Sequence, residues 1–276
     1  MNKQDLYAQV ASRLREYLDR GVLPWRQTWK TGLPINYFSK RFYNGINFLA
    51  LSMEEFPTPH YLTFLQCNKL NGRVLPGSKG IPVIYWSIKE FIDKEEGQMK
   101  KVPLLRISYV FNLSQTTLYK GDAPKPLILS CEEIISCMID SPEIIYGMGK
   151  CAYNPQADKI MLPHIGDFDS PEEYYSTLLH ELIHSTGHPK RLNRFTGKRT
   201  GESYSREELI AEIGSSYLCA LGGISNSVIE NQAAYIQGWL KALDSDPAEF
   251  ISASAEAAKA VDYVLNRGEK EYIFPN

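Results

Sequence analysis

His180-Glu181-Leu182-Ile183-His184 sets two imidazoles four residues apart, with a carboxylate next to the first. On a helix that spacing puts both histidines on one face, where their ring nitrogens can converge on a single ion. Glu181 is one residue round from His180, near enough to act on a water held at that point. Two imidazoles on Zn²⁺ beside a glutamate general base are the working parts of metal-dependent peptide hydrolysis. The competing reading is an ordinary amphipathic helix whose histidines serve its core or its surface.

The flanking residues supply the helix that the string needs. Ser170, Pro171, Glu172 and Glu173 read as an N-cap, a proline at the first helical position and a capping box. Leu178, Leu179, Leu182 and Ile183 recur at helical spacing, and Gly187 suits the C′ stop. A catalytic zinc also needs a third protein ligand and one position left for water. The metzincin pattern would put a histidine at position 190, which is Lys190. His188 comes four residues after His184, past Gly187, and suits a supporting role behind the ligands better than ligation.

Residues 205–214 predict a second helix, capped at Ser205, with Glu208 and Glu212 on one face. The run Glu208-x-x-Ala211-Glu212 resembles the glutamate helix of thermolysin-like zincins. That resemblance implies Glu208 as the third ligand and Glu212 as the carboxylate that orients a ligand histidine. Two alternatives stay open: Glu208 closes a capping box with Ser205, or Glu212 is itself the ligand.

The 276 residues contain five cysteines, Cys67, Cys131, Cys137, Cys151 and Cys219, with no C-x-x-C pair. The expectation is reduced thiols in a cytoplasmic protein, and no cysteine-held zinc. No apolar run approaches membrane-spanning length and the N-terminus opens a polar helix, so neither a membrane partner nor a signal peptide is expected. The net charge of −2 hides a division. Residues 1–125 hold 18 Lys and Arg against 10 Asp and Glu, while residues 126–276 hold 12 against 22. A basic module with an anionic partner, joined to an acidic module with another task, explains that asymmetry. The joint is expected at residues 119–126, where Gly121, Pro124 and Pro126 interrupt regular structure.

The basic half should open with an amphipathic helix over residues 3–20, stopped by Gly21, and carry strands over 81–86 and 105–111. Trp25 and Trp29 alternate with Arg26 and Lys30, and Tyr43 follows Lys40 and Arg41. Aromatic rings interleaved with cations suit single-stranded DNA, because bases stack on rings while phosphates meet the charges. The plainer alternative makes the tryptophans core and the cations a solvated face.

The order of motifs also resembles a known family. Gly21-x-x-Pro24-Trp25, Pro34-x-Asn36, Arg41-x-Tyr43-x-Gly45-Ile46-Asn47 and Tyr61-Leu62-Thr63-Phe64-x-Gln66 are similar to the N-terminal domain of ArdC-type antirestriction proteins. Gly72-x-Val74-x-x-Gly77-x-Lys79-Gly80 continues that similarity. Tyr153-Asn154-Pro155, Ile160-x-Leu162-Pro163, the histidine string and Glu207-Glu208-Leu209-x-Ala211-Glu212 resemble the metallopeptidase domain paired with it. The resemblance implies an α+β chain: a small single-stranded DNA-binding domain over residues 1–122, then a mostly helical zincin-like metallopeptidase domain with a short sheet over 127–276. It further implies protection of incoming DNA from host restriction during conjugation, or a related mobile-element function. Motif position and chemistry nominate Trp25, Arg41, Tyr43, Asn47, Lys79 and Trp86 as DNA contacts. Residues 158–163 are expected as the edge strand that holds a peptide beside the active-site helix.

Two function classes follow. In the first, Zn²⁺ (or Mn²⁺ or another divalent ion) on His180, His184 and Glu208 activates water with Glu181 as base against an unidentified protein or peptide substrate, and Tyr204 or His188 steadies the oxyanion. In the second, the chain covers single-stranded DNA without catalysis and its metal site is structural or vestigial. A metallonuclease is disfavoured, because two histidines, a glutamate and a helical base suit peptide bonds better than phosphodiesters.

Overall fold

The computed structural model describes residues 3–21, 32–92, 99–121, 129–195, 201–224, 240 and 247–267, and every structural statement here concerns those residues. The first helix, α1 (Lys3–Asp19), buries Val10, Leu14 and Leu18, the stripe that its four-residue spacing predicts, and Gly21 follows at φ +72°. The short strand β1 (Ile35–Asn36) leads through a turn to α2 (Gly45–Ser52), whose residues Ile46 to Leu51 are all buried. Next come β2 (His60–Thr63) and α3 (Phe64–Lys69), the latter opened by a capping box between Thr63 and Gln66. The hairpin strands β3 (Ile81–Ile92) and β4 (Met99–Asn112) run well beyond the strands expected there. Together they make a sheet of order β1-β2-β4-β3, antiparallel except for the β1–β2 pair.

The second half begins with α4 (Cys131–Ser136) and a sheet of β5 (Glu143–Tyr146), β6 (Ala152–Asn154) and β7 (Lys159–Leu162). Its order is β5-β7-β6, so β7 is central. The expectation of an edge strand over residues 158–163 is thereby corrected. Ile160 and Leu162 point into the core and favour the position flanked on both sides. The antiparallel edge strand is β6.

Three helices complete the architecture: α5 (Pro171–Ser185), α6 (Gly201–Leu221) and α7 (Pro247–Val264). The α5 N-cap is as expected, with Ser170 Oγ accepting from the Glu173 amide at 3.1 Å. The expected capping box is not closed on Ser170: the Glu173 carboxylate accepts from the Asp169 amide at 3.0 Å, one residue before the cap. Gly187 does follow the helix end, and its reason is packing. A Cβ there would lie 2.6 Å from the tip of the Phe195 ring, so glycine lets that ring pack over the helix end without shifting. Gly214 on α6 likewise brings that helix against Ile183 of α5. Residues 122–126 of the expected joint lie outside the described residues.

One hydrophobic cluster crosses the two halves. Leu14 of α1 and Phe48 of α2 belong to the same buried group as Ile183 of α5, Tyr217 of α6 and Ala257 and Val264 of α7. Phe48 and Tyr217 meet edge to face at 5.4 Å. The basic and acidic sequence halves thus share a core. Among the described residues no helix is long and apolar enough to cross a membrane, and none of the five cysteines is in a disulfide.

Candidate metal centre

Helix α5 puts Leu178, Leu179, Leu182 and Ile183 into the core at 1% exposure or less, which fixes its rotation. His180 and His184 then share one face, with their Nε2 atoms 3.1 Å apart. Glu208 arrives from α6, its Oε2 3.5 Å from His180 Nε2 and its Oε1 3.5 Å from His184 Nε2. The donor atoms of these three residues all lie within 4.8 Å of one another. A tetrahedral ion with ligand bonds of about 2.1 Å sets donors about 3.4 Å apart, so the separations fit one divalent ion. The donor set, two imidazoles and a carboxylate, also fits.

Ser205 lies inside α6, which starts four residues earlier. The capping-box role left open for Glu208 is therefore corrected: that residue is mid-helix and faces the two histidines.

The residue that sequence reasoning passed over is Glu207. Its Oε1 lies 3.4 Å from His184 Nδ1. Arg194 holds the same carboxylate through Nη2 at 2.7 Å and Nε at 3.3 Å. Arg194 also donates to the Ile183 carbonyl at 3.1 Å and to Thr186 Oγ1 at 2.7 Å, tying the clamp to the end of α5. With Nδ1–H given to Glu207, the neutral tautomer of His184 turns its Nε2 lone pair to the ion position. The run Glu207-Glu208 held the signal, since adjacent helical residues diverge by about 100° and can address opposite edges of one imidazole.

Burial alone would raise the Glu207 carboxyl, but His184 and Arg194 outweigh it and hold it below its ordinary value. Glu208 is lowered in the same way, burial being outweighed by both imidazoles. Burial disfavours charge on His184, yet Glu207, Glu208 and the Glu181 charge push its pKa well above normal. The cluster is an anionic cage that attracts a cation.

Glu181 is buried and its Oε2 accepts from the Tyr153 amide of β6 at 2.7 Å. The carboxylate therefore reaches from α5 to the edge strand. Glu212 is buried a turn further along α6, with 1% exposure. His188 belongs to another cluster, its Nδ1 3.8 Å from Asp158. There Asp158 is gripped by Arg191 at 2.7 and 3.2 Å and by the Tyr153 hydroxyl at 2.8 Å. This cluster fastens the β6–β7 turn to the chain after α5. The side chain of Tyr204 lies outside the described residues.

The DNA-contact candidates part company. Trp25 lies outside the described residues. Trp86 pairs with Leu105 on the hairpin, and its side chain is likewise outside the description. Tyr43 is buried with its hydroxyl accepting from Asn36 Nδ2 at 2.9 Å, and Asn47 spends its amide on Ile84 at 2.6 and 2.8 Å. Lys79 is exposed and Arg41 partly so. Among the described residues of the basic half, the exposed rings include Phe38, Phe64 and Tyr109. Lys69 stands over Phe38 at 5.8 Å and Lys40 over Tyr37 at 4.1 Å.

Comparison with known proteins falls along the same division. The family model for the N-terminal domain of anti-restriction factor ArdC matches residues 4–111, and the one for zincin-like metallopeptidases matches 134–256. DNA primase TraC of Escherichia coli is 34% identical over 98% of this chain. The chain spans 28% of that relative's length. The metal-free structure of the antirestriction protein ArdC from plasmid R388 superposes with a TM-score of 0.80 at 33% identity, covering 95% of this chain and 97% of that one. The Mn(II)-bound structure of the same protein gives 0.79 at 32% identity over the same shares. An ArdC-type N-terminal domain on a zincin-like metallopeptidase domain, matched across nearly all of a solved ArdC, makes this chain a member of the ArdC antirestriction family.

Proposed function

We propose that the chain is a metal-dependent endopeptidase coupled to a single-stranded DNA-binding half, serving antirestriction for a mobile element in the cytoplasm. The observation that carries the peptidase reading is the convergence of His180, His184 and Glu208 within 4.8 Å, with Glu181 held beside them. These three are the metal ligands in this reading, zinc being the expected ion; the Mn(II) of the R388 relative shows that ArdC itself accepts another divalent metal. A divalent ion so held supplies Lewis acidity that lets water act as a nucleophile near neutral pH.

The chain's own residues do the rest. Edge strand β6 has a described strand on one side only; its Tyr153 amide is held by Glu181, and a peptide can lie along its outer side as an added strand. That places a scissile carbonyl near Glu181, whose carboxylate takes the proton of the attacking water and returns it to the leaving amine. Glu207, clamped by Arg194, keeps His184 in the ligating tautomer. Replacing Glu181 with Gln should leave metal content unchanged and lower cleavage by about 10²–10⁴-fold. Native-rate cleavage by a metal-loaded Glu181→Gln protein would refute the assignment. Antirestriction that survives this substitution would instead favour a non-catalytic DNA protector.

The DNA reading assigns residues 1–122 to single strands and residues 127–276 to the peptidase. Its support is the exposed set of Phe38, Phe64 and Tyr109 among Lys40, Lys69 and Lys79. Rings beside mobile cations suit bases and phosphates with little sequence preference. Preference for single-stranded over duplex oligonucleotides, with a steep salt dependence, is the expected result.

A further inference from the structure

Where the two halves meet, the structure leaves a cavity of about 360 Å³ beside α6 residues Ile213, Gly214 and Tyr217. One wall is the turn Lys40-Arg41-Phe42 before α2, and the other is α7 with Arg267 just after it. Two guanidinium residues, Arg41 and Arg267, line this space with a single acid, Asp262, while the Lys40 ammonium turns away onto the Tyr37 ring. Arg267 stands over the Phe42 ring at 5.8 Å and is hydrogen-bonded to the buried Tyr217 hydroxyl. Phe42 in turn meets Tyr217 edge to face at 6.1 Å, so cation and ring are both held in place.

We propose that this junction cavity is a binding site for a nucleoside monophosphate unit, with the phosphate on the Arg41–Arg267 side and the base against Phe42. The charge argues for a phosphate: guanidinium groups meet phosphate oxygens in pairs, and a cleft with excess positive charge concentrates anions. The volume argues for more than a phosphate, since about 300 Å³ and upward is the range of small-molecule sites. A ring partly covered by a fixed guanidinium presents the surface on which a base stacks. The unit is either a free nucleotide or one residue of the DNA strand. In the second case the site rests on the single-stranded DNA reading above, because the same turn carries Lys40 and Tyr37 to the outer surface.

Titration of the full chain with dAMP, deoxyadenosine, inorganic phosphate and a single-stranded oligonucleotide, followed by calorimetry, tests this. The expected result is saturable dAMP binding, weaker binding of phosphate and none of deoxyadenosine. Arg267→Gln should weaken dAMP about tenfold or more. Ala258→Leu, which fills the cavity from α7 and removes no charge, should do the same and guards against misfolding of the first variant. If both variants also weaken the oligonucleotide, the unit belongs to the strand; if dAMP alone is affected, the ligand is a free nucleotide. Absence of dAMP binding at millimolar concentration, or binding unchanged in both variants, overturns the site. Strand binding with no dAMP site leaves the DNA reading standing, and dAMP binding without strand binding does the reverse.

Discussion

The metal centre and the basic half solve opposite problems with similar residues. At the centre, charged groups are buried and each is answered by another: Glu207 by Arg194 and His184, Glu208 by both imidazoles. In the basic half, the rings and cations that could meet a strand stand at the surface, and Lys69 and Lys40 rest on aromatic faces. Pre-organisation at the centre is necessary because an unpaired buried charge costs several kcal/mol. Surface cations bear no such penalty and can stay adaptable. The site proposed for chemistry is thus fixed by its neighbours, whereas the surface proposed for a flexible polymer is fixed only by its fold.

The largest effects should come from breaking the fixed site. Glu208→Ala removes one of three proposed ligands, and metal content measured after dialysis should fall to near zero. Glu207→Gln leaves all three in place but exchanges the charged acceptor of His184 for a neutral one. It should weaken metal about 10–100-fold, with Arg194→Ala resembling it. Equal metal affinity in Glu207→Gln and the parent would show that the clamp is structural.

An adaptable surface predicts smaller, additive losses. Phe64→Ala should weaken single-stranded DNA by about 1–3 kcal/mol if a base stacks there. Tyr43→Phe should leave DNA affinity unchanged, since that ring is buried, and cost about 1 kcal/mol of folding stability through the lost Asn36 hydrogen bond. The reverse ranking, measured by oligonucleotide titration and denaturant unfolding, would put the strand on the motif residues and not on the exposed rings.

The same contrast governs what the sequence disclosed. The histidine string carried its own geometry, because four-residue spacing on a capped helix leaves little freedom. Glu208 followed once a second helix was assigned, although the start of that helix at Gly201 and not at Ser205 decided against the capping box. Arg194 could not be assigned, since its reach to Glu207 depends on the chain folding back over Gly187. Strand order was equally hidden: Lys159–Leu162 looks the same at an edge or in the centre until the partners are known. In the basic half, motif residues such as Tyr43 and Asn47 marked the fold rather than the surface. Aromatic and amide side chains serve both ends, and only burial tells them apart. The common core of α1, α2 and α7 was beyond reach because charge asymmetry says nothing about packing.

Two buried histidines sharpen the comparison at its smallest scale. Carboxylates push His184 up, whereas in β2 burial, helped by Lys40, pulls His60 down to about 4. Unfolded, His60 titrates near 6.5. Above that value it is neutral in both states and its contribution to stability is intact. As the pH falls from about 6.5 towards 4, the unfolded chain takes up a proton that the folded chain refuses, so stability is lost at up to about 1.4 kcal/mol per pH unit. A His60→Asn variant lacks that proton-binding group, and the gap in unfolding free energy between it and the parent should narrow by about 1 kcal/mol between pH 6.5 and 5.5. A gap that stays constant across this window would mean that the His60 ring, together with its Thr58 hydrogen bond at 2.8 Å, accepts a proton in the folded state. The basic half would then contain a second imidazole whose charge its neighbours tolerate, and the contrast with the metal centre would lose its clearest pair.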